Sequence, residues 1–426
     1  MVLLSSARRR ARGFHKLASI GALTLLFVAS SAQAQGLSLS DVLGRVSAAD
    51  PYGDVTGARI RAGEASVRQA RVGPRPVVGL EIEDFAGTGP YSPFNRSQTT
   101  AYYERPVERG AKREARVGAA ESELAVTRFR GMVRTLDLVA QVQMLWVEAL
   151  AAQAAVSVAE ERLAFAQRNA REVGYRVDRA VDPLFADERA KTAVAQAQIA
   201  LDQAVEAARI ARANLAAMWS GSDGFQLDMS AFWLTDVTLF EMEETPDIAL
   251  LIAERDVAGA KIRLVQTLGT ADPTFRVGVR HFGEGNEAAL IVGGSIPLGS
   301  RRANTANIDR ARSDQTAAEG EISLARVERK REIDRLVAER RAIATEVGRI
   351  DREVLPLAER TVSMVRDGFN RGGTAFTLLE LAESQRVVSD ARARRIELLR
   401  RFHLAGARLD RLTGRHASLF TSAENR

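Results

Sequence analysis

The sequence predicts a mainly α-helical protein with a small β part. It reads as two tandem copies of one plan, a strand hairpin followed by a long helical hairpin. Three observations predict this: an internal repeat, apolar residues that advance by alternating steps of four and three, and four short segments alternating apolar and polar side chains.

The chain opens with a cationic stretch, "ARRRARGFHK", then the apolar "LASIGALTLLFVASS" and the small-residue "AQA" ending at Ala34. That order is expected of a secretory signal peptide over residues 1–34. The net charge is +6, with Arg8, Arg9, Arg10, Arg12 and Lys16 all inside that segment. The remainder carries only about +1, which removes the main support for nucleic-acid binding. Cysteine is absent, so disulfides, thiolate metal sites, thiol nucleophiles and a lipid anchor through Cys are not expected. Beyond the signal, no stretch reads as a transmembrane helix, so any membrane part is expected to be a β-barrel.

The repeat sets the domain plan. The segment from Pro106 lies over that from Pro297 without a gap, placing Val117 on Ile308 and Ala120 on Ala311. The first repeat, 35–230, is expected to hold a helix, a hairpin at 77–106 and a helical hairpin over about 108–219. The second, 231–426, is expected to hold a helix, a hairpin at 274–297, a helical hairpin over about 300–413 and a short tail.

In the hairpins, Val78, Leu80 and Ile82 share one face of a strand and Glu81 and Glu83 the other. Phe275, Val277 and Val279 likewise oppose Arg276, Gly278 and Arg280, and Leu290, Val292 and Ile296 oppose Ser295. Tyr102 and Tyr103 suit an aromatic girdle at a membrane interface. Four such strands cannot close a barrel alone, and open edges are not tolerated in lipid. Several copies must then share one barrel; three would supply twelve strands.

The helices carry coiled-coil seams. Phe129, Val133, Leu136, Ala140, Gln143, Val147, Leu150 and Ala154 form one. Ile333, Leu336, Arg340, Ile343, Val347, Ile350, Val354, Leu357, Thr361 and Met364 form the other. A helix from about Glu108 to Asp178 would span roughly 100 Å at ~1.5 Å per residue, a length suited to a conduit. Its return is expected in two pieces, about 184–219 and 246–270. Pro356 should kink or loosen the second long helix.

Together these features resemble the TolC family of outer-membrane factors, and most nearly the branch paired with cobalt–zinc–cadmium resistance exporters. Glu81, Glu83, Phe85, Gly87 and Gly89 follow that branch's acidic strand and Gly-rich turn, with Asp84 where Asn is usual. Pro106, Glu108, Gly110, Lys112 and Arg113 follow its "P-x-E-x-G-G-K-R" strand-to-helix junction, with Ala111 in place of the second Gly. "EVLPLAERT", "FNRGGTAFTLLELAESQR" and "ARLDRLTG" are marks shared more widely in the family.

The resemblance implies a homotrimer with a shared twelve-stranded barrel in the outer membrane, continued by an α-helical barrel in the periplasm. It further implies a periplasmic adaptor and an inner-membrane proton-driven pump as partners, alongside outer-membrane lipid. The helical hairpin tips become "YRVDRAVDPLF" and "VRDGFNRGGTAF". Asp178, Arg179, Asp182, Pro183, Asp367, Arg371, Gly372, Gly373 and Thr374 are the candidate gate and adaptor-contact residues. Glu81, Glu83, Arg276 and Arg280 are candidates for the barrel lumen, and Pro106, Gly110, Lys112, Arg113 and Pro297 for the strand-to-helix junction.

No catalytic arrangement is legible. His281, His403 and His416 are isolated, and no metalloprotease helix, nucleophile elbow or phosphate loop occurs. No cofactor is expected, and the seven methionines form no soft-metal cluster. The expected function is the outer-membrane channel of a tripartite cation-efflux system. The alternatives are the same channel in drug efflux or type I secretion, and a periplasmic coiled-coil scaffold without a pore.

Overall fold

The computed structural model describes residues 36–91, 96–238, 244–298, 304–371 and 376–415. The expected signal peptide, residues 1–34, lies outside them. In chain order the elements are α1 (Leu39–Ala49), α2 (Gly53–Ala70), β1 (Val77–Glu83), β2 (Gln98–Pro106), α3 (Lys112–Asp178), α4 (Leu184–Ala216), α5 (Pro246–Leu268), β3 (Thr274–Phe282), β4 (Glu287–Ser295), α6 (Thr305–Arg349), α7 (Leu355–Asn370) and α8 (Leu378–Thr413).

Local chemistry sets several of these boundaries. Ser38 with Asp41, and Thr377 with Glu380, form capping boxes that start α1 and α8. Gly414, at φ 72°, ends α8. Helix α3 begins at Lys112 and not at Glu108, because Gly110 and Ala111 both hold positive φ, which no right-handed helix contains.

The core sits around the middle of α3. Leu136, Ala140, Gln143, Val147, Leu150 and Ala154 are buried as the spacing predicts, but so are Leu138, Val139, Val142, Trp146 and Ala149. Burial is wider than a seam because α3 packs there against α1, α4 and α8 and against Phe232 of the α4–α5 connection. One window of α3 has a mean hydropathy of 1.4, long and apolar enough by composition to cross a membrane. The sequence expectation of no such stretch is corrected to that extent, but 61% of this window is buried inside the protein.

The second seam changes phase. Ile333, Leu336, Arg340, Ile343, Val347 and Ile350 are buried as expected, whereas Val354, Leu357, Thr361 and Met364 are exposed. Their neighbours one residue later take the inner positions: Ala358 and Val362 are buried against Val388 of α8, and Leu355 and Val365 are half-buried. The cause is a π-helical turn over Ile350–Val354, in which the Leu355 N–H donates to the Ile350 carbonyl five residues back. Such a turn inserts one residue and advances the phase by one. Pro356, two residues on, lacks the N–H that a regular helix would aim at the carbonyl of Arg352, so the widened turn is where its presence is absorbed.

The two polar seam residues are buried and meet at α8. Gln143 donates to Asp410 at 3.0 Å. Arg340 stacks on Phe402, 4.3 Å from the ring centre, and donates to the Asp236 carbonyl at 2.6 Å. Helix α8 is rich in arginine, and acids of neighbouring helices pair with several of these side chains. Arg392 reaches Glu161 and Glu359, Arg400 reaches Glu148, and Arg411 joins Asp137 to Asp247. Those pairs tie α8 to α3, α5 and α7.

The four strands make one antiparallel sheet in the order β1-β2-β3-β4. Its rows run Val78, Tyr103, Val277, Val292 and then Leu80, Ala101, Val279, Leu290 on one face. The opposite face carries Glu104 beside Arg276, and Glu81, Thr100 and Arg280 in one row.

Candidate functional site

The apolar face of the sheet is uncovered. Val78, Leu80, Val277, Val279, Leu290 and Val292 are all exposed, Val78 at 80%. Among the described residues, the outer edges of β1 and β4 have no strand partner. A sheet with an exposed apolar face and two open edges is incomplete as a water-soluble structure.

On the polar face the four lumen candidates come together. Arg276 holds Glu104 at 2.9 Å and lies 3.6 Å from Glu81, while Arg280 holds Glu83 at 2.7 Å. Arg280 also donates to Thr100 and Gln98, at 2.9 and 2.8 Å. Tyr102 lies on this face too, with Arg276 stacked 4.0 Å from its ring centre. The expected girdle is corrected: only Tyr103 stands on the apolar face, because adjacent strand residues point to opposite sides. Room for the flat Tyr102 ring comes from Gly79, where a Cβ would lie 2.3 Å from it. Glu104 was not legible as a lumen residue, since the register of β2 against β3 is needed to bring it to Arg276.

At the strand-to-helix junction, Pro106 ends β2 and Lys112 begins α3. Lys112 donates to Asp272 at 2.6 Å, and the Arg109 amide reaches the same carboxylate at 2.9 Å. Burial pushes Asp272 upward, but these donors outweigh it and hold the carboxyl below its ordinary range. Arg116 grips Glu108 at 2.6 Å and holds it low in the same way, while Arg113 lies 3.4 Å from it. Arg116 also donates to the carbonyls of Ala70 and Val72, so the junction is fastened to the end of α2. Pro297 follows β4 in a segment with no regular structure, and the mirror junction at 299–303 lies outside the described residues. Asp272 and Arg116 are the residues sequence reasoning missed here; their partners are 160 and 8 positions away.

At the first tip, Ala180 turns the chain with φ 55° and Pro183 precedes α4 in extended backbone. Asp182 pairs with Arg176 at 2.8 Å within the same chain. Arg176 then reaches the second tip, donating to the Phe369 carbonyl at 3.2 Å and lying 4.5 Å from that ring centre. Asp178 and Arg179 are exposed, Arg179 over the Tyr175 ring. Asp367 and Arg371 are exposed near the end of α7 and, like Asp178, make no ion pair among the described residues. Gly372, Gly373 and Thr374 lie outside those residues, as does His416. Arg176 and Phe369, which join the tips, were missed because nothing local in the sequence links positions 193 apart.

No protein-family model matches the chain. It is 28% identical over 365 residues to the cobalt-zinc-cadmium resistance protein CzcC of Cupriavidus metallidurans, covering 83% of this chain and 84% of that one. The nickel-cobalt-cadmium resistance protein NccC of Alcaligenes xylosoxydans xylosoxydans is 27% identical, with 72% of each chain covered. Among solved structures, the outer membrane protein VceC of Vibrio cholerae matches with a TM-score of 0.70 at 18% identity, over 90% of this chain and 97% of that one. CusC, described through its transmembrane channel formation, matches with a TM-score of 0.69 at 15% identity, over 89% and 93%. By sequence the chain is a relative of these metal-resistance proteins, and its fold is that of the outer-membrane protein VceC and of CusC.

Proposed function

We propose that the protein is the outer-membrane channel of a tripartite efflux system exporting heavy-metal cations of the cobalt–zinc–cadmium type. The observation that carries this is the sheet: one face predominantly apolar and uncovered, the other charged, with both outer edges unpaired among the described residues. Three chains pairing edge to edge would close twelve strands, turn the apolar rows to lipid and enclose the polar rows. Helix α3 and the α6–α7 helix, with their returns, then continue the conduit into the periplasm as two tandem repeats. The metal assignment is supported by the printed names of the relatives. The protein is a channel component and not an enzyme.

In this reading Glu81, Glu83, Arg276 and Arg280 line the barrel, and Pro106, Gly110, Lys112, Arg113 and Pro297 convert strand into helix. Asp178, Arg179, Asp182, Pro183, Asp367, Arg371, Gly372, Gly373 and Thr374 form the periplasmic end that meets an adaptor. The adaptor in turn joins a proton-driven inner-membrane pump. The test has two parts. Purified full-length protein added to planar bilayers should give discrete conductance steps; their absence sinks the channel. A deletion strain should lose resistance to zinc, cobalt or cadmium more than to antibiotics, and the reverse order would reassign the cargo.

A further inference from the structure

We infer that Arg276 and Arg280 set the ion preference of the pore by occupying its carboxylates, Arg276 filling a two-carboxylate seat that a divalent cation would otherwise take. This rests on the channel reading above.

The polar face of the sheet carries four acids, Glu81, Glu83, Glu104 and Glu287, against these two arginines. Each guanidinium is held at several points. Arg276 has Nη2 2.9 Å and Nε 3.0 Å from the same Glu104 oxygen, Nη1 3.6 Å from Glu81, and the Tyr102 ring beneath it. Arg280 has Glu83, Thr100 and Gln98 around it. Planar guanidinium groups held in this way lose little by staying in place, and they match carboxylates better than an ammonium does. Glu287, at the turn end of β4, makes no ion pair among the described residues, so some acidity remains at that end.

The pairing has a consequence for a conduit that passes cations. Divalent ions, Zn²⁺ among them, accept carboxylate oxygens as ligands, and two carboxylates within reach of one centre are the start of such a site. Glu81 and Glu104 are brought to a common centre by Arg276, which already occupies it. With the arginines present, a cation meets a mildly acidic wall that offers no seat. Without them, each chain would expose three more free carboxylates, nine around a trimer, and the field in a narrow pore would favour and retain cations.

The test measures reversal potentials in planar bilayers under a salt gradient, using the full-length channel. Arg276→Gln/Arg280→Gln is expected to raise the cation-to-anion permeability ratio by roughly threefold or more. It should also create a current block by millimolar Zn²⁺ that the native channel lacks. Arg276→Lys/Arg280→Lys should keep the native ratio. If the Gln variant fails to assemble, Glu81→Gln/Glu83→Gln/Glu104→Gln carries the test, because free arginines should then shift the preference toward anions. Unchanged reversal potentials in the Gln or triple variant, or a Lys variant that shifts as far as the Gln one, overturn the inference while leaving the channel reading intact. A native protein that forms no pores overturns both.

Discussion

Ala111 holds φ at 60° beside Gly110 at 74°. A left-handed conformation costs an L-residue with a side chain about 1–2 kcal/mol, and glycine almost nothing. The resembling branch carries a second glycine at this point, so Ala111 is a strained departure. Ala111→Gly is expected to raise stability by about 1 kcal/mol, net of glycine's extra freedom when unfolded, as a higher thermal midpoint in detergent. His403 is a second residue with a consequence. It is buried, contacts the Phe232 carbonyl through Nε2 at 2.8 Å and stacks on the Phe232 ring. Burial lowers its pKa from the ordinary 6.5, the Phe232 carbonyl opposes that shift, and nearby Arg340 adds to it. The folded state therefore binds fewer protons than the unfolded one, and stability present above pH 6.5 falls as the pH drops through that value. His403→Gln retains a donor for the Phe232 carbonyl and should flatten the loss between pH 7 and 5. The depressed carboxylates Glu108 and Asp272 act lower, below about pH 4.5. An equally steep variant would remove His403 from the account.

At the scale of the element, the π turn is the feature periodicity alone misplaced. The apolar residues Val354, Leu357 and Met364 continue the strict spacing, so the sequence offers two phases, and backbone geometry at Ile350–Val354 selects the other. Deleting the exposed Arg352 should restore a continuous α-helix and leave Ala358 and Val362 facing Val388. Deleting Arg360 instead should throw Val362 and the tip out of phase. The chain has no cysteine, so Val362→Cys/Val388→Cys with a short thiol cross-linker reads this directly. The cross-link should persist without Arg352 and fail without Arg360. At the tips, the gate candidate Asp182 is held within its own chain by Arg176. Arg176→Ala should therefore free both tips together, raising the closed-state leakage of bilayer-inserted channels. Asp367→Ala, with no ion pair to lose among the described residues, should change leakage less unless a neighbouring copy supplies its partner.

For the whole molecule, the parts legible in the sequence were those with a short period or a local signal. Strands repeat at two, helices at three and four, and Pro106, Gly110 and Pro183 mark breaks; all are read within a few residues. The illegible parts depend on which distant positions meet: Glu104 under Arg276, Asp272 under Lys112, Phe369 under Arg176. The charged face was half legible, since Glu81, Glu83, Arg276 and Arg280 alternate visibly, but their pairing needs the register of β1, β2 and β3. The edges of the sheet lead to the remaining prediction. Among the described residues of one chain, β1 and β4 each present an unpaired rim beside exposed Leu80 and Leu290. An unpaired rim in lipid costs several kcal/mol per polar group, so it must be covered by another strand. With four strands per chain, the smallest closed ring of ordinary barrel size could use two chains or three, and twelve strands leave a lumen wide enough for charged rows to face water. Cysteine pairs scanned along β1 and β4 should cross-link chain to chain in outer-membrane fractions and give a ladder that stops at three. A ladder stopping at two would replace the twelve-stranded barrel with an eight-stranded one, and cross-links confined to one chain would mean that the sheet closes in some other way.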